Sequence, residues 1–494
     1  MKRDIGGSSP SQRRYEVVYS RPRKLAGEKR IFKELSRLLG PENVSNREVD
    51  RISYSRDYWL LASTWMIKGK VPALPDFIVW PESTEQVSEL VKLANKEKIP
   101  IIPFGEGSGV VGGTVPVQGG IIIDMKKMNK IVNIDATNLL VTVQPGINGM
   151  TFERALNDAG FTCGHIPQSL YCSTLGGWLA SRAAGQFSTK YGKIEDIIVA
   201  IEAVLPQGEI IRSKIVPRTS TGPMIERLLL GSEGTLGVIT EATLKIWPYP
   251  EKRALRSYAF DYLKPALEAV RRILARNVYP AVVRLYDELE TERHFLEVEK
   301  ARGKCLLVLL MEGAKELVEL EEKVSHGMCL EEGGIECGEE PVQHWLKTRF
   351  DVTHSSIYLP QGFVGDTIEV AVTWDKALNL YDSMIKAMRE TDGVYLASAH
   401  ASHFYPQGVC FYFIFGGIPT EGVKPEELFM AVWDNAMRAC LDAGGTISHH
   451  HGVGLVRAKW LKEELGEAFN VLKRIKKTLD PNNIMNPGKM GLEK

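Results

Sequence analysis

Two apolar patterns alternate along this chain, stretches with helical spacing and short continuous runs. Over 29–39, R-I-F-K-E-L-S-R-L-L places its apolar residues three and four apart, and Gly40-Pro41 stops the helix this predicts. Asp76-Phe77-Ile78-Val79-Trp80-Pro81 reads as a short strand ended by proline. Ser83 and Gln86 have capping-box spacing and open an expected amphipathic helix through Asn95. Short strands are expected over 121–124, 139–143, 197–205 and 209–212, with a helix over 150–159. After residue 250 the pattern predicts strands over 281–287, 305–311, 367–373 and 409–415. Helices are expected between and after them over 263–276, 316–332, 375–389, 426–443 and 457–479. Such a mixture is α+β.

Glycine breaks this pattern in three places. P-F-G-E-G-S-G-V-V-G-G-T-V-P (103–116) lies between short strands. Glycine lets a ligand approach the backbone, and successive free N–H groups in such a turn form an anion-binding concavity. No G-K-[ST] follows, and a strand rather than a helix comes next, so neither a P-loop nor the usual dinucleotide fingerprint fits. Alone, the loop reads equally as a glycine-rich hairpin without a ligand. The second stretch (163–192) mixes Gly, Ser and Thr with Trp178, Phe187 and Tyr191, as a segment packed on a large planar ligand would. The third is G-S-E-G-T-L-G-V-I-T (231–240). Three such stretches that converge would hold one extended ligand.

Length and charge narrow the classes. At 494 residues the chain holds more than one domain. Lys+Arg and Asp+Glu both number 61, so no net field directs it to nucleic acid or an acidic membrane. No apolar run approaches the ~20 residues of a membrane span. Residues 1–25 read as a mobile basic arm without the apolar segment of a secretory signal. The C-terminal G-L-E-K is no peroxisomal address, and seven scattered cysteines without C-x-x-C suit a reducing, cytoplasmic compartment.

Taken together, P-F-G-E-G-S-G (103–109), Q-S-L-Y-C-S-T-L-G-G-W (168–178), G-S-E-G-T-L-G-V-I-T and the closing D-P-N-N-I-M-N-P-G-K (480–489) resemble the FAD-binding (PCMH-type) vanillyl-alcohol-oxidase flavoproteins. The resemblance covers about residues 75–494. It implies an arm and helical region over 1–74, a two-subdomain FAD domain over 75–250 and an α+β substrate (cap) domain over 251–443. A final segment, 444–494, is expected to return to the flavin. Within the family, S-T-G-P (220–223), V-R-L-Y-D with Arg284 and above all S-H-H-H-G-V-G (448–454) are similar to the alkylglycerone-phosphate synthase branch. That branch exchanges acyl for alkyl on acyl-dihydroxyacetone phosphate through a flavin N5 adduct, without net redox change. The alternative branch comprises D-2-hydroxyacid dehydrogenases. These carry a metal-binding H-x-G-D-G-N-x-H and E-H-G where this chain has H-A-S-H-F-Y-P-Q-G (400–408) and H-H-G.

The resemblance assigns the site residue by residue. Pro103, Gly105, Glu106, Gly107, Ser108, Gly109 and Val110 would meet the pyrophosphate, and Gln168, Ser169, Thr174, Gly177, Arg182 and Ala184 the ribityl and pyrophosphate. Glu233, Gly234 and Ile239 would meet the adenine side. Family members with covalent flavin have a histidine near Ser108, so FAD is expected to be non-covalent here. Tyr412 matches the acid/base tyrosine. A phenol with pKa about 10 needs a neighbour at neutral pH, which His449, His450 and His451 could provide. The same histidines, when protonated, could hold an anionic substrate. They cannot all face one site unless the backbone turns, which Gly452 allows. His165 and Arg284 are expected near flavin or substrate; otherwise an arginine in a buried strand needs a carboxylate partner, and Asp287 is close enough in sequence to be it. A metal on the histidines, with His400 and His403 added, is the competing reading, and the assignment made is no metal. The branch's substrate-phosphate arginine falls near Ser355, and the nearest arginine is Arg349. A small-molecule or lipid-like substrate, peripheral membrane contact and a homodimer complete the expectations, with no nucleic-acid partner.

Overall fold

The protein is described from a computed structural model covering residues 16–19, 25–351 and 359–492. Most of the N-terminal arm and Ser355 lie outside the described residues. Within the arm, Glu16–Val17 pairs in parallel with Lys70–Val71.

Three sheets form the body. In the first, the order is β1 (Val44–Ser45), β2 (Phe77–Val79), then β4 (Ile121–Asp124) beside β3 (Ile101–Phe104), and β2, β4 and β3 are parallel. Pro103 is tolerated in β3 because that strand is at the sheet edge. The helix Thr84–Glu97 crosses from β2 to β3. Ser83 caps it by accepting from the Gln86 N–H, but the Gln86 side chain returns to the Glu82 N–H, so the box closes one residue early. The second sheet is antiparallel. It contains β5 (Ile131–Asp135), β6 (Leu140–Val143), β7 (Ile198–Val204), β8 (Ile210–Arg212) and β9 (Val238–Lys245), in the order β8-β7-β9-β6-β5. Residues 44–59 belong to this same body: the Tyr54 hydroxyl donates to Asp124 (2.5 Å), and the Tyr58 N–H to the Gly109 carbonyl (2.8 Å).

The cap is one seven-stranded antiparallel sheet. Its strands are β10 (Lys252–Phe260), β11 (Val282–Tyr286), β12 (Cys305–Gly313), β13 (Ile335–Glu336), β14 (Val364–Thr373), β15 (Val394–Tyr405) and β16 (Gly408–Gly417), ordered β13-β10-β12-β11-β15-β16-β14. Helices Leu263–Ala275, Ala377–Arg389 and Pro425–Asp442 bury Val270, Met384 and Trp433 in the core they share with the sheet. Strand β15 joins β11 to β16, yet the sequence pattern does not announce it, since V-Y-L-A-S-A-H-A-S-H-F-Y lacks a β-branched run.

The C-terminal segment returns to the first sheet. Ile101 donates to the Ile484 carbonyl and accepts from the Asn486 N–H, both at 2.7 Å, and the buried Lys489 donates to the Val115 carbonyl at 2.7 Å. The single helix expected over 457–479 is two, Ala458–Leu465 and Glu467–Leu479. Gly466, at φ 54° and ψ −130°, breaks it in a conformation that helical residues do not adopt.

Candidate active site

The three glycine-rich stretches meet. A Cβ on Gly105 would lie 2.2 Å from the Thr174 hydroxyl, and one on Gly234 would lie 2.9 Å from the Pro103 ring. A Cβ on Gly231 would strike the Arg182 side chain at 2.6 Å. Only glycine permits these approaches, which is the physical content of the motifs. Gly107, at φ 69°, turns the first loop. Among the described residues, no backbone N–H from Glu106 to Val110 finds an acceptor. A row of free donors in one turn is an anion cradle. Among the described residues, His165 is buried with both ring nitrogens unbonded, and the Gln186 Oε1 and Thr114 Oγ1 atoms are likewise buried without partners. Buried polar atoms without partners call for a ligand, so the residues present fit a large polar cofactor.

Other expected contacts have different occupations. Glu106 accepts from the Asn148 amide (3.0 and 3.1 Å). The Arg182 guanidinium is mostly exposed and pairs with Glu195 at 3.0 Å. The Glu233 carboxylate accepts from the Val453 and Gly454 N–H groups at 2.5 and 2.8 Å, clamping the turn after the histidines. Ile239 sits in β9 opposite Ala203, against the core of the second sheet. Gln168 is exposed, Ala184 is buried, and Val110 packs on the cap core. Ser169 accepts from Ser173 (2.8 Å), while Thr174 caps the helix Leu175–Ser181 through the Gly177 N–H.

Facing these loops, the cap presents a row of side chains set by register. Tyr286 (β11) lies opposite His400 (β15), His400 opposite Tyr412 (β16), and Tyr412 opposite Glu369 (β14). Directly opposed residues share one face of a sheet. The Tyr412 ring lies 4.9 Å from His400, 5.5 Å from His451 and 6.2 Å from His450. Arg284 reaches the His400 Nε2 with its Nη2 at 2.8 Å, and its Nε is buried and unbonded. Asp287 is not its partner. That carboxylate caps the helix Glu288–His294 through the Glu290 N–H and accepts from Tyr381 and the Ala399 N–H.

The backbone does turn at Gly452 (φ 85°), and all three histidines converge. Glu369, missed in the sequence, is what gathers them. It is fully buried and accepts from the His450 N–H (3.0 Å), the His451 N–H (2.7 Å) and the Ser448 hydroxyl (2.9 Å). The wholly buried Arg457 neutralises it through a direct ion pair. A lone acid in T-I-E-V-A-V-T was the available signal. His403 joins from β15 at a bulge between Ser402 and Phe404, with φ 59°. Bulges re-aim side chains at sites of this kind. His403 lies 5.1 Å from His449 and 4.9 Å from His450.

Nitrogens of His403, His449 and His450 come within 4.8 Å of one another, but they are engaged. The His403 Nδ1 bonds the Ser188 hydroxyl (2.6 Å) and the His449 Nε2 the Tyr405 hydroxyl (2.7 Å), while the Nδ1 atoms of His449 and His450 are hydrogen-bonded to each other at 2.9 Å.

The electrostatics favour one of the two roles expected of the histidines. Without a ligand, burial holds them neutral rather than protonated. Burial, then the Lys193 ammonium, holds His403 at about 3 and drives His449 well down. Burial and then His451 do the same to His450, and burial lowers His451 against Glu369. Burial, then Arg284, holds His400 at about 3. Burial also pushes the Tyr412 phenol up to about 12 against a hydrogen bond with Thr367. The resting site is therefore a protonated phenol among neutral imidazoles, with Arg284 and Lys193 as its cations.

Residues 75–214 match the family described as FAD binding domain, and residues 249–490 that described as FAD linked oxidases, C-terminal domain. The chain belongs to the FAD-linked oxidase family. It is 32% identical to an alkyldihydroxyacetonephosphate synthase of Caenorhabditis elegans, over 97% of this chain and 86% of that protein. It is 28% identical to the glycolate oxidase subunit GlcD of Bacillus subtilis, over 94% and 97%. A solved alkyldihydroxyacetonephosphate synthase structure superposes with a TM-score of 0.77 at 27% identity, covering 95% of this chain and 87% of that one. The protein is an FAD-dependent enzyme of α+β, PCMH-type fold. No helix among the described residues is long and apolar enough to cross a membrane.

Proposed function

We propose that this family member exchanges the acyl group of acyl-dihydroxyacetone phosphate for a long-chain alcohol, releasing the fatty acid with no net redox change. One observation carries the reading: a protonated Tyr412 is enclosed by His400, His450 and His451, where the dehydrogenase branch has metal-binding residues. FAD, when bound, would supply the electrophilic ring that the reaction needs. The loop N–H groups of Glu106 to Val110 and His165 would hold and orient it without a covalent bond. A neutral imidazole, His450 or His451, accepts the proton leaving that carbon. Tyr412 donates a hydrogen bond to the departing carboxylate, because a phenol held near 12 stays protonated at neutral pH. Arg284 offsets negative charge developing beside His400. Glu369 and Arg457 fix the histidine turn.

A second reading has specific support. Arg284 beside a neutral imidazole is also what D-2-hydroxyacid oxidation needs, the cation for the carboxylate and His400 as base, and the similarity to the glycolate oxidase subunit runs along the whole chain. The visible spectrum of the anaerobic protein, before and after a panel of D-2-hydroxyacids, separates the two. Flavin that stays oxidised, with alkyl product formed from acyl-dihydroxyacetone phosphate and a labelled alcohol, is the expected result. Bleaching by one hydroxyacid overturns it in favour of the second reading.

A further inference from the structure

Both reactions considered for the cleft free one proton. Exchange takes it from the hydroxyl of the alcohol while the fatty acid leaves as a carboxylate. Oxidation takes it from the hydroxyl of the hydroxyacid while hydride goes to the flavin. His400 is enclosed, with Tyr286 and Tyr412 flanking its ring at 5.6 and 4.9 Å. Its tautomer follows from its neighbour. The Arg284 Nη2 lies 2.8 Å from the His400 Nε2. A guanidinium nitrogen can only donate, so Nε2 accepts and the ring proton sits on Nδ1. That Nδ1 faces the Glu290 Oε2 at 3.6 Å. The same oxygen lies 3.5 Å from the Nε2 of His294, whose side chain is 44% exposed. One fully buried carboxylate oxygen thus stands between a cleft imidazole and a surface imidazole. Among the described residues, neither the Oε2 nor the His400 Nδ1 has a hydrogen-bond partner. The Glu290 Oε1 accepts from Ser398 (2.8 Å) and Arg293 (2.6 Å). Each gap at Oε2 exceeds an ordinary hydrogen bond by only about 0.3–0.4 Å. Rotation about the last carboxylate torsion, a soft one, closes either gap in turn. The charged groups around Glu290 are Arg284 on β11, Arg293 on its own helix and Asp287 at that helix's start. Burial raises the Glu290 carboxyl, but His294 and His400, then Arg293, outweigh this and hold it well below the usual carboxylate range.

We propose that Glu290 is a positioning residue that holds His400 as its Nδ1–H tautomer and carries a proton between the cleft and the surface by way of His294. When the His400 Nε2 takes up a proton from the cleft, its Nδ1 proton passes to the Glu290 Oε2. From there it moves to the His294 Nε2, and the other ring nitrogen of His294 releases a proton to water. The carboxylate ends as it began, and solvent gains the proton the cleft lost. This rests on the cleft being a flavoenzyme's reaction site, not on which of the two reactions occurs there.

The test uses the FAD-loaded protein with isotope-labelled histidine and needs no turnover. Magnetic resonance reads which ring nitrogen of His400 carries the proton and how fast that proton exchanges with water. H400Q identifies the signal by its loss. The wild type is expected to show the Nδ1–H tautomer. H294F removes only the surface end of the path, so the tautomer should stay and exchange should slow by roughly tenfold or more. Loosening of the helix would speed exchange instead, so the sign separates a proton path from a merely structural role. E290Q should slow exchange equally and also lose the tautomer preference; if it fails to fold, H294F still decides. A wild-type His400 protonated on Nε2 overturns the proposal. So does H294F exchanging as fast as the wild type, including a signal broadened away in both. Slowed exchange in a protein that turns over neither substrate would count against the reaction alone and leave the path standing.

Discussion

On the flavin side of the cleft, the groups offered to a ligand are backbone N–H donors in glycine-rich turns. On the cap side they are side chains delivered by neighbouring strands and one turn. The first kind of site tolerates no added atom: a methyl on Gly105 would occupy space held by Thr174. The second tolerates no missing partner, because Glu369, Arg457 and the histidines are buried together. One face is specified by shape and the other by charge balance, so they should fail differently.

Tyr412→Phe should show the largest effect. It removes the phenol hydrogen-bond donor and leaves the loops intact, so turnover should fall by ~10²–10³-fold while bound flavin is unchanged. Loss of flavin as well would mean the two faces are not independent. Glu369→Ala leaves Arg457 buried and unpaired and should cost about 3–5 kcal/mol in denaturant unfolding. Glu369→Leu with Arg457→Met should recover much of it, which a purely catalytic role would not. Gly105→Val should lower the flavin-to-protein absorbance ratio roughly tenfold to a hundredfold, the equivalent of ~1.4–2.7 kcal/mol, with melting little changed once apo protein is the reference. Equal flavin content would break the shape argument.

Acid should act on the cap and its neighbour His165. An unfolded histidine titrates near ~6.5, but burial holds His165, His400 and His403 at about 3 in the folded protein. Between those values the unfolded chain binds protons that the folded chain does not. Stability is therefore complete above about 6.5 and declines as pH falls toward about 3. The Glu369 carboxyl is pushed up by burial, but Arg457, then His451, outweigh this and hold it at about 2, so it adds the same sign lower in the range. His165→Phe should flatten the melting-temperature profile below neutrality, and an unchanged profile would remove His165 from the account. Arg182→Ala should have the smallest effect. Its ion pair with Glu195 is exposed on the arginine side, so less than ~1 kcal/mol of stability is expected. A marked loss of flavin would support the cofactor contact that the resemblance implies for Arg182.

Much of the flavin side was legible because its signals are local. P-F-G-E-G-S-G states its need for close approach within seven residues, and the Ser83 cap lies next to the helix it starts. On the cap side, H-H-H-G is conspicuous, but the sequence leaves its protonation state open. Nothing in that run shows Lys193 donating to the His449 carbonyl at 2.5 Å from 256 positions away. Asp287 was a reasonable partner for Arg284 by proximity. The register instead set His400 beside the arginine and turned the carboxylate to a helix end.

What the sequence by itself determined is the type of most elements, the three glycine-rich loops and the residues that could act as acid, base and cation. Backbone conformation and helical or extended periodicity are properties of a few consecutive residues, so they can be read from the chain. Only the tertiary structure decided which groups are paired and which are charged. It placed Tyr286, His400, Tyr412 and Glu369 in one row and turned His403 inward at a bulge. The reason is that burial and charge neutralisation depend on strand register and domain contact between residues far apart in sequence, and these set the desolvation that fixes each proton.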